Sequence, residues 1–136
     1  TGAENEFWSY GEENFEIIVK FILIREMMRD YTRSLMQAAH DVGAPVMRAM
    51  FYEFPEDKVC WEIQDAYMFG PDILVAPICH EKAAGRSVYL PAGTFFVHAG
   101  TGDRYEGGQW YEVAADIHTI PVFLREGRQD YLIGKI

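Results

Sequence analysis

The sequence contains only two cysteines, Cys60 and Cys79, in apolar settings (VCW and APICH) without CxxC spacing. A disulfide framework and a thiolate metal site are therefore poor readings, and both residues are expected to be buried free thiols in a reducing compartment. Basic residues are scarce as well: 12 Lys and Arg stand against 21 Asp and Glu, for a formal charge of -9. Such a chain is repelled by phosphate backbones and anionic bilayers, so neither nucleic acid nor a membrane is an expected partner. No apolar run approaches the roughly 20 residues of a membrane helix. The opening TGAENEFWSYGEEN has neither a basic start nor an apolar signal core, which makes the cytoplasm the expected location. The four histidines, His40, His80, His98 and His118, show no i, i+4 pairing and no cluster with cysteine, so neither a metal nor a cofactor is expected. Internal repeats and low-complexity segments are missing too.

What is present belongs to a folded protein: 49% of the 136 residues are hydrophobic and 24% charged, enough to bury a core. From Glu12 to Val42, apolar residues recur at spacings of three and four, which predicts one long helix. Glu12, Glu13 and Glu16 lie at the positive end of its dipole, and Gly43 and Pro45 supply the stop. Ile17, Val19, Leu23 and Met27 add a second apolar face, and a helix apolar on most sides needs cover on most sides. Val46 to Phe54 reads as a short extended exit, ended by the Pro55-Glu56-Asp57 turn, and Trp61 to Phe69 as one or two helical turns. Strands are predicted at Ile73 to Ile78, Ser87 to Leu90, Thr94 to His98, Gln109 to Val113 and Thr119 to Arg125, separated by the turns PAG, GTGD and EGG. The expected fold class is α+β, a long N-terminal helix followed by an antiparallel β-sandwich.

Six strings in order carry a resemblance. They are EFWSYGEE (6–13), PVMRAMFYEFPED (45–57), WEIQDAYMFGPDILVAPI (61–78), RSVYLPAGTF (86–95), TGDRYEGGQ (101–109) and IPVFLREG (120–127). Together they resemble the C-terminal portion of glycoside hydrolase family 31, whose members are mostly α-glucosidases and α-xylosidases. The resemblance implies that residues 1–58 are the C-terminal end of a (β/α)8 catalytic barrel, with helix 12–42 its last helix, and that residues 59–136 are the following β-sandwich. It implies a retaining α-glycosidase whose two aspartates, roughly 5 to 5.5 Å apart, lie on barrel strands not matched here, so no catalytic residue is assigned. The expected partner is the barrel itself, with a homo-oligomer through the apolar helix where the barrel is missing. A non-catalytic carbohydrate-binding or assembly module is the alternative. The sequence departs from the family pattern at Phe7, where proline is usual, at Phe95 to Ala99, and at Arg128-Gln129-Asp130.

The carboxylates of VMRAMFYEFPED raise the question of catalysis. An acid and a nucleophile need contrasting environments, whereas Glu56 and Asp57 share a solvent-prone turn. Glu53, inside an apolar run, is expected to form a structural ion pair with Arg48. Asp65 and Asp72 are read as capping or interdomain hydrogen-bonding residues, and Asp103 as part of a hairpin turn. Among Phe95, Phe96, Tyr105, Trp110 and Tyr111, the candidates for stacking a sugar ring are Trp110, Tyr111 and Tyr105, although strand alternation sends half of such aromatics into a core. Trp8 is read as an anchor for the helix start.

Overall fold

A computed structural model describes residues 6–136, so the first five residues of the opening string read above lie outside it. After a 3₁₀ turn at Phe7–Tyr10 come α1 (Glu12–Met27) and α2 (Arg29–Val42), then β1 (Met47–Ala49), the single turn α3 (Met50–Glu53) and a 3₁₀ turn at Lys58–Trp61. The remainder is β2 (Tyr67–Phe69), β3 (Ile73–Val75), β4 (Gly85–Leu90), β5 (Phe95–His98), β6 (Arg104–Glu106), β7 (Gln109–Ala114), β8 (Val122–Arg125) and a 3₁₀ turn at Asp130–Leu132. Six strands pair antiparallel in the order β1-β2-β3-β8-β5-β6, and β4 pairs with β7 as a separate ribbon.

Strand alternation explains the layers. In β3 and β8, Leu74 and Phe123 point to one face of the large sheet while Ile73, Val122 and Leu124 point to the other, because successive side chains of a strand alternate sides. The first face meets the β4–β7 ribbon through Val88, Leu90 and Val113, together with Phe96, Met68, Met50 and the buried Cys60. The second face is covered by the helices through Ile24, with Phe21, Met28 and Tyr31 at its margin, and by Leu132. The order of layers is therefore helices, large sheet, ribbon.

Several local expectations are corrected. The helix predicted over 12–42 bends at Met28 (φ -83°, ψ 6°) into two. The hydrogen bonds Met28 N–H to Ile24 O (3.1 Å) and Thr32 N–H to Met28 O (2.8 Å) continue across the bend. Neither Pro nor Gly sits there, and Ile24 and Leu35, on either side of it, are both buried. The helical turn lies earlier than the expected Trp61 to Phe69, at Lys58–Trp61, so the two share Trp61 alone; Tyr67–Phe69 is a strand, with Met68 buried under the ribbon. The exit segment is part strand and part turn, and its strand β1 hydrogen-bonds β2, so the large sheet takes in residues on the helical side of the expected 58/59 division. Strand β6, read as part of a glycine-rich turn, pairs with β5. Cys79 is exposed rather than buried, because β3 ends at Val75 and the APIC segment leaves the sheet. The tail folds back: Gly134 N–H donates to Ala99 O (2.7 Å), and Leu132 is fully buried.

Candidate functional site

The FYEFPED string resolves into three separate environments. The Arg48 guanidinium meets the Glu53 carboxylate, with side chains only 9% and 13% exposed, and its Nε donates to Pro45 O at 2.6 Å. The pair ties β1 to α3. Glu56 is exposed. Asp57 is a clamp: Oδ2 accepts from the Tyr89 hydroxyl and the Ala92 N–H, both at 2.8 Å, and Oδ1 accepts from the Val59 N–H at 3.1 Å. It thereby fastens the 3₁₀ turn to the ribbon. Burial works to raise the Asp57 carboxyl, but the Ala92, Tyr89 and Val59 donors together hold it below the ordinary range. The same cluster pushes the Cys60 thiol up to about 12, first through burial and then through the Asp57 charge, so this cysteine is an inert thiol at neutral pH.

This clamp yields a pH prediction. A carboxyl with a depressed folded-state pKa contributes stability that is present above its unfolded value, about 4, and is lost as pH falls through the folded value. Asp57→Asn, whose amide turns donors toward donors, is expected to lower stability by about 2 kcal/mol at pH 7. The gap from the parent chain should narrow as urea melts are repeated below about pH 4. A gap that stays constant from pH 7 to pH 3 would remove the clamp.

Asp72 performs an analogous task on the helical side. The Tyr31 hydroxyl donates to Phe69 O (3.0 Å) and accepts from the Asp72 N–H (3.3 Å), while the Asp72 carboxylate accepts from Gln129 Nε2 (2.9 Å). Helix α2, the β2–β3 turn and the tail meet at this point. Asp65 pairs with Arg86 at 2.6 Å. Asp103 lies in the β5–β6 hairpin, where its N–H donates to Thr101 Oγ1 at 3.2 Å. Neither Tyr31 nor Gln129 stood out in the sequence, because their partners are 38 and 57 residues away.

The aromatic candidates do not form one platform. Tyr105 stands edge-on to Tyr111 (4.8 Å) and to Phe123 (5.6 Å), and Tyr111 donates to Glu106 O (2.8 Å); both pack on the core beneath the ribbon. Trp110, next along β7 and so on its other face, is 53% exposed and leans on Tyr89 at 5.4 Å. Phe96 is fully buried, and Phe95 carries Arg104 over its ring. Trp8 stays 64% exposed beside Phe7, which itself stacks on Phe15 at 5.6 Å. No group of three or more His, Cys, Asp or Glu among the described residues is placed to hold a metal ion. No helix there is long and apolar enough to cross a membrane.

The back of α1 is left uncovered. Residues advance 100° per position on a helix, so while Ile24 is buried on the sheet, Phe15, Ile22 and Leu23 turn away from it, Leu23 being 60% exposed. The fold thus defines an antiparallel β-domain carrying a helical layer with a second, open apolar face.

That class has a specific match. Residues 43–128 fit the model of the glycosyl hydrolase family 31 C-terminal domain, and the chain belongs to this family. It is 37% identical over 122 residues to alpha-glucosidase 2 of Bacillus thermoamyloliquefaciens, covering 90% of this chain and 15% of that protein. It is 33% identical over 130 residues to an alpha-xylosidase of Saccharolobus solfataricus, covering 96% of this chain and 18% of the other. Among solved structures, a family 31 alpha-xylosidase from a soil metagenome, complexed with xylose, superposes with a TM-score of 0.94 at 47% identity, over 98% of this chain and 20% of that one. The chain therefore spans only about a fifth or less of the length of these relatives.

Proposed function

We propose that the chain is the C-terminal part of a retaining α-glycosidase acting on α-glucosides or α-xylosides, that it supports the catalytic barrel, and that it is inactive alone. The observation that carries this reading is the open face of α1. Phe15, Ile22 and Leu23 are of the size and spacing that a packed neighbour covers, and the relatives have most of their length outside the matched region. In this reading α1 and α2 are the last barrel helix, with one side against the β-domain and the other against the barrel. The carboxylates of the FYEFPED string act within the domain: Glu53 neutralises Arg48 and Asp57 clamps the ribbon. A retaining mechanism needs two carboxyl groups on either side of the scissile bond, and these two are committed elsewhere.

The test is direct. The purified chain is expected to release no aryl alcohol from aryl α-glucosides or α-xylosides. Turnover that a single substitution within residues 6–136 abolishes would overturn the reading.

A further inference from the structure

Two loops at one end of the molecule enclose a cleft of about 580 Å³. One is the segment 77–84 after β3; the other is the turn 115–120 between β7 and β8. A second hollow, of about 480 Å³, adjoins it along Ala84 and Ala114. The size falls within the roughly 300–1,000 Å³ of small-ligand sites.

Its lining combines three kinds of group. Pro77, Ile78 and Ile120 are half-buried and offer an apolar floor, and Ile117 stands as an exposed wall. Asp116 is held rigidly, its Oδ1 accepting from the His118 N–H (2.9 Å) and the Thr119 hydroxyl (3.1 Å), yet the residue stays open to solvent. On the other loop, Lys82 occupies the left-handed region at φ 60°, which a non-glycine residue adopts at a cost. Its ammonium pairs with the neighbouring Glu81 at 3.3 Å, with both side chains almost fully exposed.

A fixed carboxylate, a solvent-exposed Lys82–Glu81 pair beside His80 and an apolar floor carry charges of both signs and do not suit an ion of either sign. They suit a neutral polyhydroxylated ring, whose C–H face lies on apolar side chains while its hydroxyls donate to the carboxylate and accept from the ammonium.

The cleft is also fastened to a particular end of α1. Lys20 Nζ donates to His118 O at 3.1 Å, and Glu13 lies 3.5 Å from His118 Nε2. A barrel helix begins at the end where the strands' C-terminal ends carry the chemistry. Resting on the reading of α1 as a barrel helix, we propose that this cleft receives the leaving-group end of an α-linked gluco- or xylo-oligosaccharide, as a distal specificity subsite of the enzyme.

The experiment is a titration of the ¹⁵N-labelled chain with isomaltotriose and with maltotriose, followed by amide chemical shifts. Shifts are expected to concentrate in residues 78–83 and 115–120, with a midpoint of roughly millimolar order. Lys82→Ala and Ile117→Ala, both at exposed positions that leave the fold intact, should each weaken binding about tenfold, the loss of one charge-assisted hydrogen bond or one apolar wall. Absence of shifts at tens of millimolar sugar, shifts centred on Trp110, or unchanged affinity in both variants would each overturn the proposal. These outcomes are separate from the hydrolysis assay: an empty cleft leaves the support role standing, whereas turnover by the chain would end that role without moving these shifts.

Discussion

Replacing Gly107 by alanine is expected to cost about 4 kcal/mol, at the extreme end for a single added methyl group. The reason is space. A Cβ at this position would lie 1.9 Å from Pro91 O and 2.7 Å from Thr94 O, both backbone atoms that no rotamer change can move aside. The surrounding backbone forms a tight junction: Gly107 N–H donates to Thr94 O at 3.0 Å, and Gly108 N–H to Leu90 O at 2.7 Å. Relieving the clash therefore breaks the joint between the β6–β7 turn and the end of β4, and Val88 and Leu90 lose their place over Phe123 and Phe96. Gly93→Ala is the control. Gly93 has φ +85° with nothing within 4 Å of an added Cβ, so only the left-handed backbone is penalised, by about 1–2 kcal/mol. Urea melts of the two variants should differ in midpoint accordingly, and a Gly107→Ala chain as stable as Gly93→Ala would mean that the close approach does not exist in solution.

The second large effect is expected at Arg48. Arg48→Ala leaves the Glu53 carboxylate in a site only 13% exposed with its cation removed. Removing one member of a nearly buried pair strands the other, at a cost of about 3 kcal/mol. In a chain of this size that lowers the melting temperature by about 10 °C. The pair as a whole contributes far less, because each ion lost its hydration on burial. The double variant Arg48→Met, Glu53→Leu should accordingly recover most of the loss. Calorimetry on Arg48→Met, on Glu53→Leu and on the double closes the cycle. A double variant as unstable as the Arg48→Ala single would show that the guanidinium acts mainly through its 2.6 Å bond to Pro45 O, which leucine and methionine cannot replace.

These two sites differ in how far the sequence reveals them. Arg48 and Glu53 are five residues apart, and a charged pair inside an apolar run is visible as a pattern. Gly107 sits in an EGG turn that any hairpin would accept. Its requirement for glycine comes from Pro91, 16 positions earlier, and appears only once β4 and the turn are brought together. The same distinction runs through the elements. The strands at Ile73–Val75, Phe95–His98 and Val122–Arg125 were legible because β-branched and aromatic residues cluster between Gly and Pro turns. Strands β1, β2 and β6 are only three residues each. Unlike the equally short β3, they contain no β-branched residue, and they exist because neighbours such as β3 and β5 offer them hydrogen-bonding edges. Cys79 was misread for a related reason: apolar neighbours in sequence do not make a residue buried when the chain is leaving the sheet.

By itself the sequence determined the α+β class, the helical start followed by strands β3, β4, β5, β7 and β8, and, through six ordered strings, membership in a glycoside hydrolase family. It also required a helix with more apolar surface than one face can use. These are properties of spacing and local preference, which a linear string carries in full. Only the tertiary structure decided which face of that helix is spent on the sheet and which, with Phe15, Ile22 and Leu23, is left open. It also decided that Asp57 answers to Tyr89 and Ala92, 32 and 35 residues away, and that two distant loops meet around a cleft. Burial and long-range hydrogen bonding depend on where the chain returns to itself, and no local preference encodes that return.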